Sequence, residues 1–328
     1  MGDSGERSRR RVAVVHNPTK VDLEALREAV TAAESSYGFE PSLWFETTAE
    51  DPGTSMAKEA VDQGADIVIA AGGDGTVRAV AEGLRGSDAA LALVPSGTGN
   101  LLARNLEHRL DDLEHSIDLA FGGEDRSIDL GIATIVRPDG ERDELVFAVM
   151  AGIGLDAQMI VNQDEDLKKK AGWLAYVKSL GASMKGGRRI KLRLTVDDGS
   201  PHVSRVHTLL VGNCGALPAN IVLLPDAEVD DGVLDVVALR PDGLLGWITI
   251  WAKILVEHGI MRRGDIGRKL VGGPDGAPKN IRALRYLRGS SFRVQLRDPE
   301  EFELDGDAFG EVREFTTTLE PGGLTVRV

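Results

Sequence analysis

Two glycine- and threonine-rich segments hold the residues of this 328-residue chain whose types and spacing best suit chemistry. GGDGT (72–76) directly follows the apolar run DIVIAA (66–71), and PSGTGN (95–100) directly follows the apolar run 91–94. Glycine allows another molecule to approach the main chain, and successive free N–H groups at a strand-to-helix turn attract anions. The occurrence of two such segments favours phosphate binding, although either one alone could equally be a tight turn without a ligand.

A third segment, NPTK (17–20), supports this interpretation because it follows the apolar run Val12 to His16. Ligands of open α/β sheets bind at the carboxyl ends of the strands, so the three segments are expected to lie side by side. A nucleoside triphosphate would suit such an edge. The chain has no GxxxxGK[ST] motif and no HRD or DFG, which argues against a P-loop protein and a protein kinase.

The hydrophobic pattern predicts the elements that must hold these segments. Between Arg11 and about Gly131, short apolar runs alternate with helical spacing, which favours a parallel sheet with helices on its faces. The predicted strands are 12–16, 42–46, 67–71, 91–94 and 127–135. A first helix is predicted to begin near Leu23, and three further helices are predicted at 56–63, 77–84 and 113–121.

After about Val136 the pattern changes to alternating apolar and polar residues. Residues 190–196 alternate and lead into the hairpin signal Asp198-Gly199. This half is predicted to be a mainly β domain, with two helices. The further predicted strands are 206–211, 234–239, 292–296 and 324–328, and the predicted helices are 169–184 and 244–258.

The composition restricts the partners and the location. A formal net charge of −14 and the lack of an aromatic-basic pattern argue against nucleic acid. Cys214 is the only cysteine, so no internal disulfide is possible and a reducing compartment fits best. The first residues lack a signal-peptide pattern, and the apolar run 244–256 is shorter than the about 20 residues of a spanning helix. We therefore expect a cytoplasmic protein without a transmembrane segment.

The ordered set of motifs resembles the diacylglycerol kinase catalytic-domain family, which includes bacterial lipid kinases and the sphingosine and ceramide kinases. Besides NPT, GGDGT and PSGTGN, the set comprises AGIGLD (151–156), PDA (225–227) with DDGVLD (230–235), and LDGD (304–307). GGDGT alone is shared with NAD kinases and, more loosely, with phosphofructokinases, whereas the ordered set covers nearly the whole chain. The resemblance implies an NAD kinase-like α/β nucleotide-binding domain and a second, mainly β, sandwich-like domain.

The resemblance also implies domain limits and nucleotide contacts. The α/β domain would span 11–135 plus about 310–328, the β-rich lipid-substrate domain 136–309, and residues 1–10 would be a flexible tail. Thr47 is a near-equal choice for Thr48, because the register there is loose. The implied contacts to ATP are Asn17, Pro18, Thr19, Lys20, Thr48, Gly72, Gly73, Asp74, Gly75, Thr76, Val77, Arg78, Gly97, Thr98 and Asn100.

Two carboxylates are assigned to the phosphate chemistry. The charge of Asp74 would repel phosphates unless magnesium intervened or the side chain faced the acceptor hydroxyl, so Asp74 takes one of these roles together with Asp129. Many bacterial relatives carry an aspartate directly after the GTxN asparagine, where this chain has Leu101. Asn100 or a water would have to substitute, which leaves the metal preference open.

The general base is expected from the pair Asp305 and Asp307, with Asp305 slightly preferred. Relatives read DGE here, so the side chain of Asp307 is one methylene shorter, which pulls its carboxylate back by about 1.5 Å. A plain Asp-Gly turn is the alternative. Relatives also hold a structural magnesium that maps to Asp231 with the carbonyls of Glu228 and Val233, and an acidic surface loop is equally compatible there.

Three further patterns have simpler explanations. GIGLDA (152–157) fits GxGxxA but lacks the acidic residue about 20 positions on, which argues against a dinucleotide-binding fold. The six histidines lack metal-ligand spacing. Apolar residues in 247–255, followed by basic residues in 262–269, favour a buried helix beside a solvated loop, although these residues and Lys168 to Lys170 are the candidates for membrane contact.

Together these features predict an ATP- and Mg²⁺-dependent kinase for a lipid hydroxyl, with diacylglycerol as the default acceptor. Such a kinase would associate peripherally with a membrane, and a homodimer is possible. A sphingosine or ceramide kinase, an NAD kinase, and a non-catalytic nucleotide or lipid sensor are the alternatives. PSGTGN, PDAEVDDG and ELDGD weigh against NAD kinase, whereas Leu101 and the shortened Asp307 give the sensor its best support.

Overall fold

A computed structural model describes residues 10–154, 189–218, 221–241 and 284–328. The chain divides into two compact units, the first comprising residues up to Ile128 together with Gly322–Val328, and the second Asp129–Pro321. Strands β5 (Asp125–Val136) and β16 (Asp307–Arg327) contribute residues to both units. Each unit contains a hydrophobic core of its own.

The first unit is built on a parallel sheet, as predicted for this half of the chain. Neighbouring strands follow the order β4-β3-β1-β2, and Val326 of β16 pairs with Leu91 in parallel. β1 and β3 are buried along their whole length, as expected for strands covered on both faces. The four strands are β1 (Val12–His16), β2 (Leu43–Glu46), β3 (Ile67–Gly72) and β4 (Ala90–Pro95).

Helices cover this sheet and follow its strands. The first helix begins where the Asp22 side chain accepts hydrogen bonds from the N–H groups of Glu24 and Ala25, and it ends at Gly38, whose φ is 73°. Its buried face shares the core of this unit with buried residues of the fifth helix. The helices described here are α1 (Leu23–Tyr37), α2 (Thr54–Asp62), α3 (Asp74–Leu84), α4 (Leu101–Asn105) and α5 (Leu113–Gly122).

The second unit is mainly antiparallel β structure, which confirms the predicted class. Strand neighbours follow the order β14-β13-β10-β7-β15-β16, β15 also pairs with β8, β8 pairs with β9, and β5 pairs with β6. The predicted strand 206–211 is interrupted at His207, between β9 and β10. These strands are β6 (Arg142–Phe147), β7 (Met150–Ile153), β8 (Ile190–Val196), β9 (His202–Val206), β10 (Thr208–Gly212), β11 (Ala216–Leu217), β12 (Ile221–Val222), β13 (Leu234–Leu239), β14 (Leu284–Gly289) and β15 (Ser291–Leu304).

Cys214 is expected to resist alkylation in the folded protein. Its side chain is 1% exposed, and its thiol donates to the carbonyl of Ala148 at 3.6 Å. Burial, with a smaller contribution from the negative charge of Asp305, raises the pKa of this thiol, and the thiolate is the reactive form. A colorimetric thiol reagent should therefore react at least about 100-fold more slowly in buffer than in denaturant. Equal rates in both would contradict this prediction.

Several predicted features lie outside the described residues. These features are the helices 169–184 and 244–258, residues 155–157 of the GIGLDA pattern, and the membrane-contact candidates Lys168 to Lys170 and 247–269. Within the ranges that the structure describes, no helix combines the length and apolar character needed to cross a membrane.

Candidate active site

The ends of β3 and β4 bring the two glycine segments into direct contact. Gly72 lies opposite Pro95 in the parallel pair, and the N–H of Ser96 donates to the Gly72 carbonyl at 2.9 Å. A Cβ atom built on Gly97 would lie 2.7 Å from the Cα atom of Gly73, closer than real Cβ atoms approach other heavy atoms. Glycine is therefore required at position 97 by the neighbouring loop, whether or not a ligand is bound.

The carboxylate of Asp74 joins the second segment to the first. It accepts hydrogen bonds from the backbone N–H groups of Asn100 at 2.9 Å and of Leu101 at 2.5 Å. Asp74 is the first residue of α3, and the two donors lie at the start of α4, so one charged side chain bridges two helix N-termini. A Cβ atom at Gly99 would collide with this carboxylate. The geometry thus gives Asp74 a positioning role that the sequence did not indicate.

Asn100 closes the second segment on itself. Its side-chain oxygen accepts from the N–H of Gly97 at 2.9 Å, and its side-chain amide donates to the Gly97 carbonyl at 2.8 Å. The residue has a φ of 48°, in the left-handed region. Both polar ends of the amide are engaged within this loop, and a role of Asn100 in metal binding stays a prediction. Leu101, which stands in the place of that carboxylate, is only 6% exposed.

The first turn of α3 presents N–H groups that suit an anion. The first bond within this helix runs from the N–H of Val77 to the carbonyl of Gly73, so the N–H groups before Val77 have no carbonyl partner inside the helix. A Cβ atom at Gly73 would have only the Cα atom of Gly97 nearby, at an ordinary 3.6 Å. Arg78, predicted to contact ATP, is 7% exposed and forms an ion pair with Glu82 at 3.5 Å.

The NPTK segment forms a turn at the end of β1. The Asn17 side-chain oxygen accepts from the N–H of Thr19 at 3.0 Å and from its hydroxyl at 2.8 Å. The N–H of Asn17 donates to the carbonyl of Ala71 at 2.9 Å, which fixes the turn beside the end of β3. Pro18 and Lys20 are exposed, as is Thr19. The three predicted segments therefore lie at the carboxyl ends of β1, β3 and β4.

Thr48 is the more accessible of the two threonines considered after β2. It is exposed, and its hydroxyl accepts from the N–H of Asp51 at 3.1 Å. Thr47 is 5% exposed, and its N–H donates to the carbonyl of His16 at 2.9 Å. The geometry therefore favours Thr48, while its contact with a nucleotide stays a prediction.

In the second unit, Asp129 anchors the acidic loop PDAEVDDG (225–232). Its carboxylate accepts from the N–H of Gly232 at 2.6 Å, and its own N–H donates to the carbonyl of Val229 at 2.8 Å. Its carbonyl accepts from the side-chain amide of Asn213 at 2.9 Å. Asp129 is 2% exposed. These contacts give it a structural role, and its predicted part in a magnesium network remains a prediction.

The carboxylate of the predicted structural magnesium site, Asp231, pairs with an arginine in this structure. One Asp231 oxygen forms an ion pair with the guanidinium of Arg288, and the other accepts from the N–H of Val233 at 3.0 Å. Arg288 also pairs with Asp235 at 3.2 Å. A cation beside this carboxylate opposes a second cation. The predicted set of Asp231 with the carbonyls of Glu228 and Val233 contains one side chain only, and it stays a prediction.

Asp305 lies in the tight turn between β15 and β16. Asp305 and Gly306 have φ values of 49° and 94°, and Leu304 pairs with Asp307 across the turn. A two-residue hairpin with positive φ at both central positions is the conformation that Asp-Gly favours. The plain-turn alternative therefore describes the backbone of this segment correctly.

The side chain of Asp305 connects this turn to the strand edge at β7. Its two oxygens accept from the backbone N–H groups of Ala148 at 2.8 Å, Val149 at 2.9 Å and Met150 at 2.8 Å. Asp305 is 4% exposed, whereas Asp307 is exposed. Of the predicted pair, Asp307 is thus the more accessible carboxylate, and Asp305 has a clear structural function.

The sequence gives no signal for two residues that hold these segments. Arg288 is one of many basic residues and has no distinctive spacing to Asp231, from which it is separated by 57 positions. Asn213 follows the buried strand β10 and is itself 0% exposed. A polar residue directly after the apolar run Leu209 to Val211 and Gly212 is the signal that could have marked Asn213 as a buried hydrogen-bonding residue.

These features define a class of protein: an α/β unit of the nucleotide-binding type, with anion-compatible loops at three strand ends, joined to a mainly β unit. Residues 11–133 match the diacylglycerol kinase catalytic domain, and residues 148–328 match the YegS C-terminal NAD kinase beta sandwich-like domain. The chain belongs to this family of diacylglycerol and lipid kinases, which confirms the resemblance seen in its motifs.

Named relatives and solved structures agree with this membership. The chain is 30% identical over 323 residues to a probable lipid kinase YegS-like of Pseudomonas aeruginosa, covering 97% of this chain and 94% of the relative. It is 26% identical over 306 residues to a diacylglycerol kinase of Bacillus subtilis, covering 92% and 91%. A putative diacylglycerol kinase from Bacillus anthracis has the same fold, with a TM-score of 0.71 at 21% identity over 97% and 96% of the chains. Yeast NADH kinase is a more distant fold relative, with a TM-score of 0.53 at 8% identity over 98% and 84%.

Proposed function

We propose that this chain transfers the terminal phosphoryl group of ATP to a hydroxyl group of a lipid, with diacylglycerol as the acceptor. The observation that carries the proposal is the pair of glycine segments at the ends of β3 and β4, which Asp74 holds together beside the N-terminus of α3. Phosphoryl transfer depends on positioning and charge stabilisation more than on covalent chemistry by the protein. The names of the relatives favour a lipid as acceptor.

In this proposal the α3 N-terminus and the adjoining loops bind the phosphates. N–H groups at a helix N-terminus attract negative charge, and glycine at position 73 leaves the main chain open to approach. Magnesium, which the family implies, would neutralise charge between the phosphates when bound. Asp74, the carboxylate at the N-terminus of α3, is our candidate for holding such an ion. The apolar side chain of Leu101 has no oxygen with which to bind magnesium.

The acceptor hydroxyl must also lose a proton, and Asp307 is our candidate for receiving it. Asp307 is exposed, whereas both oxygens of Asp305 accept backbone hydrogen bonds. This assignment reverses the order of preference that the sequence suggested. Asp305 would then position the hairpin that carries Asp307, rather than take part in proton transfer.

A pair of glycine variants tests whether a ligand approaches the main chain at this edge. The Cβ atom of Gly73→Ala would make only an ordinary contact in the free protein, so stability should change by less than about 1 kcal/mol. If phosphates approach Gly73, calorimetric titration should show ATP affinity reduced by at least about 10-fold. In Gly97→Ala the new Cβ meets the other loop, so thermal unfolding without nucleotide should already occur at lower temperature. Unchanged ATP affinity in a stable Gly73→Ala protein would contradict phosphate binding here.

The reaction itself is tested by transfer of labelled γ-phosphate from ATP and Mg²⁺ to a panel of acceptors. Diacylglycerol, sphingosine and ceramide in detergent micelles form the lipid arm, and NAD is the comparison acceptor. Labelled product from diacylglycerol, lost in Gly73→Ala, supports the proposal. Product from NAD alone overturns the assignment of a lipid acceptor. Saturable ATP binding without product on any acceptor overturns catalysis and favours a nucleotide sensor.

A further inference from the structure

A cavity of about 290 Å³ lies within the second unit, and none of the residues considered above for nucleotide binding lines it. It is bounded by β8 and β9 and by β10, β13 and β14. Leu192, Leu194, Val206 and Leu209 supply buried apolar walls. Its volume is at the small end of the ~300–1,000 Å³ range of ligand pockets, which suits one alkyl chain rather than two.

Three arginines, Arg240, Arg285 and Arg288, line this cavity beside its apolar walls. Arg240 directly follows β13, and Arg285 lies on the neighbouring strand β14, where it pairs with Ala238. A guanidinium nitrogen of Arg240 donates to the hydroxyl of Ser204, while its buried Nε atom has no acceptor among the described residues. Neither Arg240 nor Arg285 forms an ion pair with a carboxylate in the described ranges, in contrast to Arg288, which pairs with both Asp231 and Asp235.

Arg240 is the less accessible of the two arginines without a carboxylate partner in the described ranges, since Arg285 is exposed. Burial and, to a smaller extent, the positive charge of Arg285 lower the pKa of Arg240. The chain as a whole carries a formal charge of −14, so acidic side chains are plentiful elsewhere. A buried donor without an acceptor is costly unless an anion or a water bonds it.

We propose that this cavity binds a single-chain anionic amphiphile, with its alkyl chain between the leucine and valine side chains and a phosphate monoester headgroup at Arg240 and Arg285. Guanidinium groups suit this headgroup because their planar N–H donors bond two oxygens at once. His202 and Ser204, which also line the cavity, add polar groups near the headgroup. The site lies wholly in the second unit and does not depend on the proposed phosphoryl transfer.

Calorimetric titration of the full chain, without nucleotide, tests this site directly. The probe is decyl phosphate below its micelle concentration, with decyl maltoside supplying the same chain without charge and inorganic phosphate supplying the charge without a chain. Decyl phosphate should bind at least about 10-fold more tightly than either comparison compound, because both parts of the molecule have partners. Equal binding of inorganic phosphate, or equal binding of decyl maltoside, would overturn the proposal.

Variants of the exposed arginine separate this site from binding elsewhere. Arg285→Gln should weaken decyl phosphate binding by at least about 10-fold, and Arg285→Lys should restore part of it, because the charge returns without the bidentate geometry. Arg205→Gln is the matched control: Arg205 is an exposed residue of β9 between Ser204 and Val206, and unlike them it does not line the cavity. The proposal fails if Arg285→Gln binds decyl phosphate as the unaltered chain does, or if Arg205→Gln weakens binding equally.

Discussion

Replacing Asp74 with alanine is expected to lower phosphoryl transfer by at least about 100-fold, the size of effect that a misplacement of about 1 Å produces in a reactive site. The same change removes the acceptor of two backbone N–H groups, those of Asn100 and Leu101. Loss of these bonds should also destabilise the first unit by about 1–3 kcal/mol. The loss of stability follows from the separation of the two glycine segments, which also contributes to the loss of activity. Asp74→Asn, which keeps one acceptor oxygen, should be destabilised less.

The decisive measurement for Asp74 is made without ATP and magnesium. Hydrogen exchange of the amides of Asn100 and Leu101 should become faster in Asp74→Ala, because their acceptor is gone. Asp88→Ala, which removes an exposed carboxylate between α3 and β4, is the control and should leave this exchange unchanged. If activity is lost while the two amides exchange as before, Asp74 acts on the metal or the acceptor, and the positioning role is wrong.

The order of the elements could be predicted because the hydrophobic period is strong in both halves of the chain. Val12–His16 and Leu234–Leu239 are fully buried strands, and the observed limits of both agree with the predicted ones. Where the hydrophobic period was ambiguous, the predicted limits of a strand were wrong. Residues 206–211 were predicted as one strand, yet the strand is interrupted at His207. His207 donates its N–H to the carbonyl of Leu239, a contact that depends on sheet register and not on local pattern.

The glycines predicted correctly that other atoms come close to the main chain at the candidate site. They did not predict which atoms these are. The glycines of both segments suggested a ligand, whereas Gly97 is required by Gly73 and Gly99 by Asp74. The bonds from Ala148 and Met150 to Asp305 cross more than 150 positions of sequence. Which groups meet over such distances depends on strand order and register, and a single sequence contains no direct record of either.

The second large effect is expected from the hairpin of Asp305 and Asp307, where the two carboxylates should respond in opposite ways. Asp305→Ala leaves three backbone N–H groups without their acceptor, so the second unit should lose about 3 kcal/mol or more of its free energy of unfolding. Asp307→Asn changes an exposed side chain, so stability should stay within about 0.5 kcal/mol. Its rate of phosphoryl transfer should nevertheless fall by about 100-fold or more, the usual contribution of a general base.

Denaturant unfolding and the pH dependence of the rate distinguish these two roles. In the unaltered enzyme the rate should fall at acid pH as the proton acceptor becomes protonated, and in Asp307→Asn that acid limb should disappear along with most of the activity. Asp198→Asn, at an exposed carboxylate in the turn after β8, is the control for both measurements and should behave like the unaltered chain. If the fall in rate at acid pH persists in Asp307→Asn but is absent from a folded Asp305→Asn protein, Asp305 and not Asp307 is the general base. In that event the three backbone bonds would orient a catalytic carboxylate rather than a structural one.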